Sequence, residues 1–176
     1  RRMSKAKIAT VWLDGCSGCH MSFLDIDEVL LDLADSIELV YSPLVDNKIF
    51  PDMVDVTLIE GAVSNEDDLH KIQHVRAHTR ILVALGDCAV TGNVPSMRNM
   101  YPVDKIYSRA YIENASENKG TPTSFIPPLL TKVRPVHQVV RVDVHIPGCP
   151  PSAKLIGDTI LKLLAGEVPD VKAKFG

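Results

Sequence analysis

No apolar run in this sequence approaches the roughly 18 residues that a bilayer-crossing helix needs, and charges interrupt every long periodic segment. No block of lysine and arginine is present either, and 19 basic against 22 acidic residues leave a net charge of −3. That balance offers no electrostatic footprint for nucleic acid or an anionic membrane, so neither is expected as a partner. An export leader is not expected. Arg1 and Arg2 suggest a twin-arginine signal, but Met3 to Lys7 is polar and basic, and the "IATVW" that follows is too short for a leader's apolar part. Cysteine is scarce, with four in 176 residues. Without a secretory signal, so few thiols in a chain of ordinary size suit a reducing compartment, where they act as ligands more often than as disulfides. The expected location is cytoplasmic.

What is there reads as one domain over residues 1–176, with 45% hydrophobic content to build a core. Short β-branched runs alternate with amphipathic segments, the pattern of an α/β fold with a parallel sheet between helices. Five strands are predicted: "KIATVWL" (7–13), "IELVYSP" (37–43), "DVTLIEG" (55–61), "RILVALG" (80–86) and "VVRVDVHI" (139–146). The fourth is continuously apolar, as an interior strand should be, and the fifth alternates, as an edge strand can. A flavodoxin-like, five-stranded, mainly parallel sheet of order 2-1-3-4-5 with helices on both faces satisfies both, although Asp55 and Thr57 make the third strand more polar than an interior one should be. Covering helices are expected over "SFLDIDEVLLDLADS", with Phe23, Ile26, Val29, Leu30 and Leu33 at helical spacing, and over "NEDDLHKIQHVRAHT", which opens with capping and acidic residues. A last helix follows "PPSAK" and stops at Gly166.

Residues 89–135 break the rhythm. They hold six of the twelve prolines and at most a short helix near 103–112. Met97, Met100, Tyr101, Tyr107, Tyr111, Phe125 and Ile126 are too apolar for comfortable disorder, so a long insertion facing a partner is expected.

The four cysteines fall just past the carboxyl ends of predicted strands: Cys16 and Cys19 after the first, Cys88 after the fourth, Cys149 after the fifth. Ligands of open parallel sheets bind at that edge, so the thiols should converge in a site that only the fold assembles. Four thiolates suit a [4Fe–4S] cluster or a tetrahedral zinc, and unrelated core or redox cysteines remain a third reading. A chain with a full-sized core has little need of a structural zinc, which favours the cluster. In "GCSGC", Gly15 and Gly18 let backbone turn tightly near a ligand; "IPGCPPS" holds Cys149 before a helix N-terminus that favours thiolate charge. Glu60, ending the third strand in "LIEG", should open toward the same pocket as a proton-carrying or bonding carboxylate, against the plainer reading of a solvated strand-end charge. His20 and His145 flank cysteines and could donate to them, though a core or surface histidine is the plainer reading of each. Trp12 and Phe23 read as core, and Asp14 as a turn residue.

"LDGCSGCHMSFLD", "LIEGAVS", "ALGDCAVTGNVPS" and "IPGCPPS", in that order, resemble the small subunit of [NiFe]-hydrogenases over nearly the whole chain. The resemblance implies that Cys16, Cys19, Cys88 and Cys149 ligate one proximal [4Fe–4S] cluster and that Glu60 is the family's glutamate beside it. No catalytic residue is then expected in this chain. The quinone-reductase subunit of respiratory complex I shares the fold and the "PGCPP" loop but has an adjacent Cys–Cys pair where this chain has C-S-G-C. Other hydrogenase small subunits carry an export signal, a second cluster domain or ferredoxin-like cysteines. With four cysteines, this sequence is most similar to the small subunit of the cytoplasmic, bidirectional NAD-reducing type. Its implied partners are a large subunit bearing Ni–Fe and a diaphorase module with FMN, iron–sulfur clusters and NAD. The alternatives are a cluster-binding subunit of a quinone-linked oxidoreductase and a binding domain stabilised by zinc on four cysteines.

Overall fold

The computed structural model describes residues 5–171; Arg1 and Arg2, and with them the twin-arginine question, lie outside the described residues. Five parallel strands form the main sheet: β1 (Ala6–Trp12), β2 (Ile37–Tyr41), β3 (Val54–Glu60), β5 (Thr79–Leu85) and β7 (Val144–Ile146), in the order β2-β1-β3-β5-β7. Two short strands absent from the prediction, β4 (Val63–Asn65) and β6 (Leu129–Arg134), pair antiparallel beside it. Leaving those two aside, the five main strands run 2-1-3-4-5.

Alternate strand residues feed two cores. On one face Ile8, Val56, Leu58, Val83 and Leu85 meet α1 (Gly18–Leu24), α2 (Glu28–Leu33) and α7 (Ala153–Leu164), through Phe23, Leu33, Ile156 and Ile160. On the other, Val11, Ile59, Leu82 and Ala84 meet α3 (Glu66–Ala77) and α4 (Asp87–Thr91), through Ile72, Val75, Ala89 and Val90. Each fully buried aliphatic side chain contributes roughly 1.5–3 kcal/mol. The register then sets the site. Trp12 pairs with Glu60, Glu60 with Leu85, and Leu85 with Ile146, so four strands end at one level and their loops leave side by side.

Local chemistry explains the helix ends. The Asn65 side chain accepts from the Asp68 amide (2.9 Å) to start α3, Ser152 Oγ accepts from the Leu155 amide (3.3 Å) to start α7, and Gly166 takes φ +76° beyond its end. Other expectations need correction. The predicted first helix is two: Asp27, at φ +54°, separates α1 from α2, and Val29 faces solvent rather than the core. The fifth strand covers only 144–146: a 3-10 turn at Val136–Gln138 leads in, and at Asp143 the amide still donates to the Leu82 carbonyl (2.9 Å) while the side chain accepts from the Leu82 amide (2.8 Å) and from Arg76 Nη1 (2.6 Å). Thr57 is tolerated inside β3 because its hydroxyl bonds that of Thr79 (2.8 Å).

The segment 89–135 holds more order than predicted. α4 continues into α5 (Asn93–Ser96) and a 3-10 turn (Met97–Met100), α6 (Val103–Ser108) runs into a π turn (Arg109–Glu113), and β6 closes the segment. Asn99 fastens β6 through its side chain, donating to the Val133 carbonyl (2.9 Å) and accepting from the Val133 amide (2.7 Å). Tyr107 is partly buried and its hydroxyl accepts from the Leu129 amide (2.9 Å), whereas Met97, Met100, Tyr101, Phe125 and Ile126 are exposed. No described helix is long and apolar enough to cross a membrane.

Candidate functional site

The loop after β1 is pinned to the turn after β3. The Leu13 amide donates to the Glu60 carbonyl (2.8 Å), and Asp14 and Ala62 exchange backbone bonds of 3.1 and 2.8 Å. Asp14, expected in a turn, instead forms an isolated antiparallel bridge with Ala62. Trp12 is not core: it is half exposed and its indole N–H donates to the Gly15 carbonyl (3.1 Å), closing the cysteine loop from outside. Phe23 is core. The tight turn expected of Gly15 or Gly18 falls on Ser17, at φ +65°; the glycines supply room instead, since a Cβ on Gly18 would stand 3.2 Å from Cys16 Sγ and one on Gly15 3.1 Å from the Gly61 backbone.

The four thiols gather at the carboxyl edge. Cys19 is buried, Cys88 partly buried, and Cys16 and Cys149 are exposed; none forms a disulfide. Gly86, between β5 and Cys88, sits at φ +83°, and a Cβ there would come 2.2 Å from Cys19 Sγ, so only glycine lets these two loops approach. Burial first, then the negative charges of Glu60, Cys88, Cys16 and Cys149, push the Cys19 thiol far above its ordinary value. Burial, then Cys149, Cys16 and Glu60, push Cys88 up to about 11, while an N–H from Val94 opposes the rise. Cys19 and Cys88 thus each sense the other sulfurs, which come from three remote loops. Further N–H donors face them: the Gly18 amide toward Cys16 Sγ (3.4 Å) and Asn93 Nδ2 toward Cys149 Sγ (3.6 Å). At the start of α7, three residues beyond Cys149, Ser152 takes the Leu155 amide.

Glu60 is 1% exposed, which removes the solvated reading. Its Oε2 accepts from the His20 backbone amide (3.0 Å) and pairs with His20 Nδ1. His20 Nε2 bonds Thr10 Oγ1 (3.0 Å), which bonds Ser42 Oγ (2.7 Å), so a buried polar chain runs from Glu60 to the end of β2. His145 has no part in it. Its ring packs on His137, 5.9 Å between centroids, and burial followed by His137 lowers its pKa.

These donors suit a cluster. Cys19 and Cys88, buried beside two further sulfurs and a carboxylate, resist ionisation, and an iron–sulfur core is the kind of cationic guest that relieves such repulsion while N–H groups bond its sulfurs. Among the described residues, no three Cys, His, Asp or Glu side chains stand close enough to grip one metal ion. A tetrahedral zinc would need its four sulfurs drawn within about 2.3 Å of a single atom, whereas a cubane takes one thiolate on each of four irons and spreads them. Sequence reasoning missed Ser22, whose Oγ donates to the Pro151 carbonyl (2.5 Å), together with Asp87 and Asn93. "TGN" signalled a turn, and only "GDC" placed Asp87 next to a thiol.

Comparison with known proteins agrees. The profile of the family described as NADH ubiquinone oxidoreductase, 20 Kd subunit, matches residues 16–163. A subunit of the vhu F420-non-reducing hydrogenase of Methanocaldococcus jannaschii is 41% identical over 96% of this chain, which spans 59% of that protein. The delta subunit of the NAD-reducing hydrogenase HoxS of Cupriavidus necator is 41% identical over 93% of this chain, which spans 78% of it. The crystal structure of an NAD+-reducing [NiFe]-hydrogenase in the H2-reduced state contains a chain that superposes with a TM-score of 0.92 at 38% identity, covering 98% of this chain and all of that one. The fold, the strand-edge cysteines and these identities have one reading: the chain belongs to the family of the NADH ubiquinone oxidoreductase 20 kDa subunit that includes the small subunits of [NiFe]-hydrogenases.

Proposed function

We propose that this chain is the electron-transfer small subunit of an NAD-reducing [NiFe]-hydrogenase, acting as one iron–sulfur domain with Cys16, Cys19, Cys88 and Cys149 as the ligands of a single proximal [4Fe–4S] cluster. When bound, that cluster supplies one-electron transfer between the Ni–Fe site of a large subunit and a diaphorase module carrying FMN and the NAD site. The chain's own work is positioning. Gly86 permits the approach of Cys19, the amides of Gly18 and Val94 and the Asn93 side chain face the sulfurs, and Cys19 is screened from water. Glu60 holds His20 in a fixed orientation beside the thiols, as a proton-carrying or cluster-neighbouring carboxylate. The exposed Met97, Met100 and Tyr101 form an apolar contact for the large subunit.

The observation that carries this reading is the close approach of three cysteine-bearing loops: the Gly86 position, two residues before Cys88, lies against Cys19 Sγ and the Gly148 carbonyl beside Cys149, and Asn93 Nδ2 faces Cys149 Sγ. The test is anaerobic purification with any co-purifying chains. About four iron atoms per chain, a brown iron–sulfur absorption, a nickel-containing partner and hydrogen-dependent NAD+ reduction are expected. Zinc in place of iron would overturn it.

The family's description favours a second reading, a cluster-binding subunit of a quinone-linked oxidoreductase. Cys16 and Cys19, separated by two residues, weigh against it. A quinone-reducing partner without nickel would decide in its favour.

A further inference from the structure

Asp87 stands between Gly86 and Cys88, is 6% exposed, and opens α4. An acidic residue in a helix's first turn ordinarily serves the free amides of its own helix. Here the α4 N-cap, Gly86, makes no side-chain cap bond, and Asp87 reaches across to another loop. Its Oδ1 accepts from the Gly148 amide at 2.7 Å, while its own amide donates to the Gly148 carbonyl at 2.9 Å. The residue beside one sulfur therefore holds both backbone polar groups of the residue beside another, Cys149. The Gly86 amide adds a bond to the Ile146 carbonyl (2.7 Å) just before it. Any residue at position 87 could make the backbone bond. The bond to the Gly148 amide requires an acceptor oxygen at the reach of an Asp or Asn side chain, and that amide belongs to a buried glycine at φ +137°, where an unpaired N–H would be costly.

We propose that Asp87 is a positioning residue that locks Gly148 and so fixes Cys149 relative to Cys88 before any cluster is present. The proposal rests on the four-cysteine reading above. Partners that orient metal ligands through a second hydrogen bond commonly change metal retention by roughly 10–100-fold when removed. The role requires an acceptor oxygen and no particular charge, which separates Asp87→Asn from Asp87→Ala.

The test uses the full chain, purified anaerobically with its partner subunits, and follows iron per chain, the electron paramagnetic resonance of the reduced sample, and the rate of iron loss to a ferrous chelator. Asp87→Ala and Asp87→Ser, the latter polar but too short to reach Gly148, are expected to lose iron roughly 10–100-fold faster and to broaden the resonance. Asp87→Asn is expected to keep the wild-type rate. Equal retention in all variants, or an Asn variant as poor as Ala, would overturn the proposal. So would failure of both short variants to fold, which would make the bond a requirement of the fold. Iron-free wild-type material would sink the cluster reading instead. Amide hydrogen exchange at Gly148 would then still judge the lock: it must accelerate in Asp87→Ala and stay slow in Asp87→Asn.

Discussion

The two ends of the central sheet treat polar groups in opposite ways. At the amino end, polar side chains seal the sheet near solvent: the Lys7 amide donates to Asp55 (2.9 Å), Arg80 pairs with Asp55 at 3.8 Å, and Asp143 takes Arg76 and the Leu82 amide. At the carboxyl end Glu60, His20, Ser22 and Asp87 are all buried and bonded to one another or to loop backbone. Burying polar groups is unfavourable unless each is satisfied. The amino end keeps its charges wet and buries only the paired hydroxyls of Thr57 and Thr79, whereas the carboxyl end buries charged and polar groups together beside the cysteine loops. One sheet thus carries a stability end and a site end.

Substitutions can test that division, and the largest effect belongs to the site end. Cys88→Ser is expected to abolish or convert the cluster and stop electron transfer to NAD+, with absorption and iron analysis as the measure; an intact cubane and normal activity would remove Cys88 from the ligand set. Gly86→Ala comes next. It forces a positive φ on alanine and drives a Cβ to 2.2 Å from Cys19 Sγ, and the strain alone should cost about 1–3 kcal/mol in denaturant unfolding, with cluster loss in addition.

The amino end should respond in stability alone. Burial opposes ionisation of Asp143, but the Leu82 amide and Arg76 outweigh it and hold the carboxyl below the usual carboxylate range. A lowered folded-state value means stability that is present above the unfolded value near about pH 3.9 and lost as pH falls through the folded one. Asp143→Asn should cost about 1–3 kcal/mol at neutral pH, flatten that acid limb, and leave iron content unchanged. Smallest of all, Arg80→Ala removes a long, exposed ion pair with Asp55 and should shift stability by no more than about 1 kcal/mol. Iron loss from either amino-end variant would erase the distinction between the ends.

Much of the arrangement was legible in the residues. β-branched runs and helical spacing located the main strands, because they report which side chains face a core wherever the chain is regular. Cysteines just beyond strand ends then implied convergence, since all parallel strands deliver their loops to one edge. What stayed hidden depended on distant partners. At the start of the fifth strand the Leu82 amide turns to the Asp143 side chain, and Asp27 split the first helix with a backbone angle that apolar spacing does not report. Trp12 looked like core and lies over the dithiol loop, because hydrophobicity does not reveal that an indole N–H has a carbonyl waiting at Gly15. Segment 89–135 looked loose because prolines and short elements defeat periodicity, yet β6 found β4 and Asn99 fastened it.

By itself the sequence determined the layered α/β class, the thiols available and the order in which loops offer them, since residue type and periodicity are local properties. Only the tertiary structure decided that Trp12, Glu60, Leu85 and Ile146 end at one level, that Glu60 is dry and holds His20, and that Asp87 grips the residue before Cys149. Those are matters of register and close approach between segments far apart in the chain, which no local pattern encodes.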